Sequence, residues 1–355
     1  MKCFPRRTFP DSTLFMHNSE ESMMLIYNHK IDVVKFICSI FVVLIHLTVF
    51  LPNTGIATLE NYYIYRYFFN IAVPFYFVSA GYLLSFRPEI PYLKKYSLRI
   101  FTMYIYFSIV YIFLNIGISV YDKFVVGRTF WDKIQNILSK ITLNNILKGG
   151  FGDYHLWYLI ALALAVLYLI VLLKLKLSGT TIFLISTLIY ITELLNLVDF
   201  SRITDPNGLI KGMFYLSLGY FIGESNLVIK YPLLKFCLLI VLYVLNSIYS
   251  VTRIGEVFLA LSTFYLMCYC KNNPGEETVL SKLGQHSLKI YIMHVFVYQM
   301  YYKILDLFGI TSYRDGISDI ILATIVCVVF SIILFKPVDK LLQLINKRID
   351  SLIST

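Results

Sequence analysis

Charge is what this chain has least of. Only 15% of its 355 residues are Asp, Glu, Lys or Arg, 58% are hydrophobic, and the mean hydropathy is +0.71. An average soluble domain carries roughly 25% charged residues. A soluble globular protein is therefore excluded, and the apolar runs leave no stretch for a sizeable soluble domain. Cysteine is sparse too: Cys3, Cys38, Cys237, Cys268, Cys270 and Cys327 form no C-x-x-C pair and no zinc spacing. No disulfide framework and no metal site is expected, and the thiols read as small buried hydrophobes. The opening MKCFPRRTFPDSTLFMHNSEESMM lacks the apolar core and cleavage site of a signal peptide. It reads as a short extension, with Met23 or Met24 as an alternative start. The net charge of +10 lies in segments that flank the apolar runs. That distribution is the positive-inside pattern of membrane loops, and it excludes nucleic acid as a partner.

What the chain does have is apolar runs. A membrane span needs about 20 mostly apolar residues. By that rule ten helices are expected, at about 33–51, 69–86, 98–118, 156–173, 180–198, 209–223, 232–250, 254–270, 287–307 and 318–336. The fold class is all-α, a polytopic integral membrane protein in the lipid bilayer. With the N-terminus inside, 20 of the 31 Lys and Arg fall on the inner side and 11 outside. N-in, C-in is thus the expected orientation. The expected organisation is an N-terminal cytoplasmic extension at 1–29, one membrane domain at 30–345 and a tail at 346–355. The longest outer connection, about 119–155, contains Trp131, Ile134, Ile137, Leu138 and Ile141 at helical spacing. A surface amphipathic helix is expected there.

Several spans keep polar residues that hydrocarbon disfavours. In IDVVKFICSIFVVLIHLTVF, residues 31–50, Lys35 and His46 are eleven positions apart, about 20° in phase and about 16 Å in rise. Asp32 and Ser39 lie near the same stripe. In LGQHSLKIYIMHVFVYQM, residues 283–300, Ser287, Tyr291, His294 and Tyr298 share one face. Two polar faces, each with a histidine, suggest a polar cavity open toward the cytoplasm. Pro74, Ser79 and Gly81 in the second span suit close helix packing. Lys94, Lys95 and Arg99 sit at the expected inner mouth and, with Lys35, suit the phosphates of an anionic cofactor. Asp153, His155, Trp157 and Tyr158 open the fourth span at the outer face, facing a substrate or forming the aromatic belt. Glu193 is a lone carboxylate near the outer end of the fifth. Three readings compete for these residues: helix-packing groups in a scaffold, a relay in a transporter or permease, and a catalytic base reached from both sides. Histidine suits the last because its pKa lies near working pH.

Taken together, these stretches resemble the membrane acyltransferase family 3, the multi-pass acyltransferases that O-acetylate cell-surface glycans and related molecules. IDVVKFICSIFVVLIH, VPFYFVSAGYLL, KKYSLRIFTMY, YHLWYL and SLKIYIMH occur in the family's order over roughly residues 30–340. The family usually has arginine where this chain has Lys35, a serine at Ala80 and a proline at Thr102. Lysine at position 35 gives a point charge without the bidentate fork. The resemblance implies an enzyme, an O-acetyltransferase-type acyltransferase of the cell membrane, with acyl-CoA (most simply acetyl-CoA) as donor substrate and no permanently bound cofactor. It implies catalysis at His46, with Asp32 and His294 in the same set, and donor binding at Lys35, Lys94, Lys95 and Arg99. Ser287, Tyr291, Trp157, His155 and Glu193 are the candidates for substrate contact. Asp32, about 21 Å of rise from His46, is expected to pair with Lys35 or the basic segment rather than orient the imidazole. The acceptor is a glycan, a polysaccharide or a lipid-linked sugar. None of these residues forms an esterase-like domain of the kind some members carry, so the final transfer falls to the membrane domain or to an unidentified extracytoplasmic partner.

Overall fold

The computed structural model describes residues 14–16, 25–49, 66–126, 130–198, 208–249, 253–310 and 317–353. Two three-residue strands pair antiparallel near the N-terminus, β1 (Leu14–Met16) with β2 (Leu25–Tyr27), Leu14 opposite Tyr27. Among the described residues, all other regular structure is helical. In chain order the helices are α1 (His29–Val49), α2 (Ala72–Leu84), α3 (Ile90–Val126), α4 (Phe130–Ser139), α5 (Leu143–Lys148), α6 (Trp157–Lys174), α7 (Gly179–Leu194) and α8 (Gly208–Glu224). They continue with α9 (Pro232–Tyr249), α10 (Ile254–Asn272), α11 (Val279–Gly284), α12 (Ser287–Leu307) and α13 (Ile317–Ile353). A 3-10 turn, Tyr154–Leu156, leads into α6. The proposed start at Met23 or Met24 lies outside the described residues.

Six of the ten expected segments are long and apolar enough to cross a membrane: Arg66–Leu84, Ile90–Tyr121, Tyr154–Lys174, Pro232–Tyr249, Ile254–Asn272 and Ser318–Lys336. Gly179–Leu194 is apolar but shorter. Length suffices in α1 and α12, each 21 residues. Neither is among the six, and these are the helices that carry the histidine stripes. Two expected spans extend well past their apolar cores. α3 and α13 each run for 37 residues, so part of the expected 119–155 loop is helix. The rest of that loop holds α4 and α5. On α4, Trp131 and Leu138 stand exposed, as expected of an amphipathic surface helix.

Polar side chains cap several of the helix starts. Asn28 accepts the Ile31 amide at 3.0 Å and donates to the Cys270 carbonyl at 2.8 Å, so one residue caps α1 and ties it to the end of α10. Ser178 caps α7, and Thr278 and Ser281 form a capping box on α11. Glycine sets the tightest helix pair. A Cβ on Gly81 would stand 1.9 Å from the Leu216 carbonyl oxygen, and one on Gly219 would stand 2.0 Å from that of Val78. Reciprocal notches therefore bring α2 and α8 into backbone contact, the device by which membrane helices gain packing that hydrocarbon cannot supply. α1 lies against α2, α11, α12 and α13, while α6 lies against α3 and α8. The outward faces of α9 and α13 are apolar and exposed, as at Leu234, Leu238, Ile321 and Ile325, which suits helices solvated by lipid.

Candidate active site

Three histidines from three elements meet inside this bundle. His46 comes from the last turn of α1, His155 from the 3-10 turn before α6, and His294 from the middle of α12. The ring centroids of His46 and His294 are 5.0 Å apart, those of His155 and His294 5.3 Å, and those of His46 and His155 6.3 Å. His155 and His294 are fully buried, and His46 is partly buried.

The backbone fixes which nitrogen of each buried ring holds its proton. His294 Nδ1 lies 2.7 Å from the Tyr291 carbonyl and 3.2 Å from that of Ile290. A carbonyl only accepts, so Nδ1 carries the hydrogen and Nε2 presents a lone pair. That Nε2 is buried and has no hydrogen-bond partner. His155 is set the other way round. Its Nε2 lies 3.3 Å from the Ile292 carbonyl, and its Nδ1 faces Asp153 Oδ1 at 3.4 Å. The entry to α6 is clamped further by the Tyr291 hydroxyl, which donates to the His155 carbonyl.

Tyrosines wall the cluster. Tyr154, about half exposed, lies edge-on to His46 at 5.2 Å, with its hydroxyl 3.4 Å from that of Tyr298. Tyr76, Tyr158 and Tyr291 follow one another with centroids 5.9 and 5.3 Å apart, and Tyr291 reaches His294 at 6.2 Å. At the far end of this series the Tyr76 hydroxyl donates to the Lys35 carbonyl at 3.0 Å. Ser287 is buried within reach of Tyr76. A polar seam thus runs from Lys35 at the start of α1 to the histidines near its end.

The sequence candidates divide accordingly. His46, His155 and His294 come together, and Ser287 and Tyr291 line the seam that reaches them. Lys35 sits at the other end, its Nζ 4.0 Å from Asp32 Oδ1, and Tyr27 donates to Asp32. Asp32 is therefore remote from all three imidazoles and braces the lysine. Lys94 is exposed, and Lys95 and Arg99 are half-buried, on the first turns of α3. Trp157 is half-buried against Gly149 and Gly208. Glu193 belongs to a separate polar group at the end of α7. There Tyr190 donates to Glu256 at 3.1 Å, Lys211 donates to Glu256 at 3.0 Å, and Glu193 lies within electrostatic reach of Lys211 and Glu256. Among the described residues no group of His, Cys, Asp and Glu is arranged to hold a metal ion.

A family model described as an acyltransferase domain matches residues 28–336, which is most of the chain and includes every residue of this cluster. The chain belongs to the acyltransferase 3 family. No curated protein and no solved structure matches it. As an acyltransferase 3 protein it is a helical membrane acyltransferase, and the histidine cluster is its candidate active site. Sequence reasoning placed Tyr298 on the His294 face but missed Tyr154 and Tyr111, which touch His46 and His155. Those two carry no local signal among 29 tyrosines.

Proposed function

We propose that this acyltransferase moves an acyl group, most simply acetyl, from cytoplasmic acyl-CoA to a hydroxyl of a cell-surface glycan or lipid-linked sugar. The observation that carries this reading is the pairing of His46 with His294 at 5.0 Å, joined by a buried polar seam to Lys35. In a plasma-membrane protein with Lys35 facing the cytoplasm, Lys94, Lys95, Arg99 and Lys35 neutralise the donor's phosphates. The thioester enters along Tyr76, Tyr158 and Tyr291, and the acceptor reaches His46 from the opposite face, past Tyr154.

Chemistry then needs one proton acceptor and one acyl acceptor. The hydroxyl oxygen attacks the thioester carbon as His46 takes its proton, the C–O bond forms and the C–S bond breaks. The sulfur leaves as thiolate and receives the proton, giving the ester and CoA with no net proton exchanged. The bare His294 Nε2 can hold that proton between the two events. A covalent route, in which His46 is acylated first, uses the same groups.

The test is CoA release from acetyl-CoA by purified wild type and by His46→Ala, with envelope glycans as acceptor. Turnover by the wild type, with a loss of about 100-fold or more in the variant, is the expected result. Binding of acetyl-CoA without turnover would point to a missing acceptor or extracytoplasmic partner. No binding by either protein would reject the reading, and a permease would then be tested by transport of small polar solutes.

A further inference from the structure

Tyr111, on α3, makes an unusual use of a hydroxyl. Its Oη donates to the Ile292 carbonyl at 2.7 Å and accepts from the Phe296 amide at 3.1 Å. In an α-helix the amide of residue 296 pairs with the carbonyl of residue 292. The tyrosine oxygen thus bridges the two groups that close one helical turn, and that turn contains His294. The Ile292 carbonyl is approached by a second side chain as well, His155 Nε2 at 3.3 Å. Tyr111 and His155 are themselves in edge-on contact at 4.8 Å. Tyr111 is 1% exposed, and a buried hydroxyl is costly unless it is bonded. Phenylalanine would pack there without that cost, so the oxygen has a use.

We infer that Tyr111 is a positioning residue for His294: its hydroxyl, set between the Phe296 amide and the Ile292 carbonyl, holds open the turn of α12 that aims the His294 lone pair at His46. A side chain inserted into the ladder is one of the few things that bends a helix locally. Here the inserted hydroxyl lies at the turn whose imidazole keeps Nδ1 on the Tyr291 carbonyl. His155, which shares the Ile292 carbonyl, couples this turn to the entry of α6. The histidines of α12 and of the α6 entry are thereby held by one hydrogen-bonded unit. The catalytic part of this inference rests on the acyltransferase reading above.

Tyr111→Phe keeps the ring and removes only the bridge. The expected result is a kcat for CoA release lowered about 10- to 100-fold, as for a small misplacement of a reacting group, with KM for acetyl-CoA unchanged. Hydrogen exchange read on a peptide spanning residues 292–297 should slow, because the regular turn can then close. A residue that merely filled space would leave both readouts at the wild-type level. An unchanged kcat, or an unchanged exchange rate, overturns the inference. Failure of the acyltransferase reading has a different signature. Wild-type protein would then release no CoA, while the exchange comparison would still decide whether the hydroxyl holds the turn open.

Discussion

His155 faces a carboxylate with the nitrogen that its other hydrogen bond leaves bare. With Nε2–H committed to the Ile292 carbonyl, Nδ1 and Asp153 Oδ1 meet at 3.4 Å in a site where both side chains are almost fully buried. Asp153 is thus the carboxylate that faces the histidine cluster, and it does so through His155. Asp153→Asn supplies a neutral N–H to the same nitrogen and so separates geometry from charge. The fold should survive this change, while kcat for CoA release falls on the order of tenfold, since an orienting carboxylate also stabilises charge on its imidazole. Asp153→Ala leaves the buried ring nitrogen without its partner and should also cost about 1–3 kcal/mol of stability. Rates and thermal denaturation of both variants separate the two effects, and an Asn variant as fast as wild type would remove the carboxylate's charge from the mechanism.

At the scale of elements, the molecule depends on where backbones touch. α2 and α8 cross with Gly81 and Gly219 in each other's notches, and any Cβ at either position meets a carbonyl oxygen at 2.0 Å or less. Neither obstacle is a flexible side-chain end, so the helices themselves must separate. Gly219→Ala should therefore destabilise by about 1–3 kcal/mol, the usual cost of overpacking. Fluorescence-detected size-exclusion chromatography after a heat series would show it as a lowered midpoint, whereas an unchanged midpoint would mean that α2 and α8 are free to move apart. The same elements show how much was legible beforehand. Helix periodicity put Lys35 with His46, and Ser287 with His294, because those relations lie within one helix and follow from 100° per residue. That the two stripes face each other depends on which helices pack together, which is set by notches such as these and has no local signature. Tyr111 is the clearest case. It lies 185 positions from Phe296, in a span rich in tyrosine, and only the assembled bundle reveals its partners. Glu193 shows the converse, a carboxylate conspicuous in sequence that folds into a polar group away from the histidines.

Across the whole molecule, the proposed chemistry needs an inside and an outside. α3 supplies a ruler for both. Its 37 residues extend about 56 Å, nearly twice the roughly 30 Å of a hydrocarbon core, so its ends must emerge on opposite faces. Lys94 lies near its start, and Trp131 follows its end on α4. On the proposed reading the basic start lies on the cytoplasmic side, as the positive-inside bias expects, and would meet acyl-CoA there. In a background carrying Cys237→Ser, which removes an exposed thiol, a membrane-impermeant maleimide should label Trp131→Cys in intact cells. Lys94→Cys should be labelled only after permeabilisation. The opposite pattern would place Lys94, Lys95 and Arg99 on the outer face, out of reach of cytoplasmic acyl-CoA. The seam from Lys35 to His46 would then have to carry something from outside inward, and the permease reading would gain what the acyltransferase mechanism had lost. With the expected pattern, the length of one helix and the charge at its two ends set the direction of transfer, donor from the lysines and acceptor from the side of Tyr154.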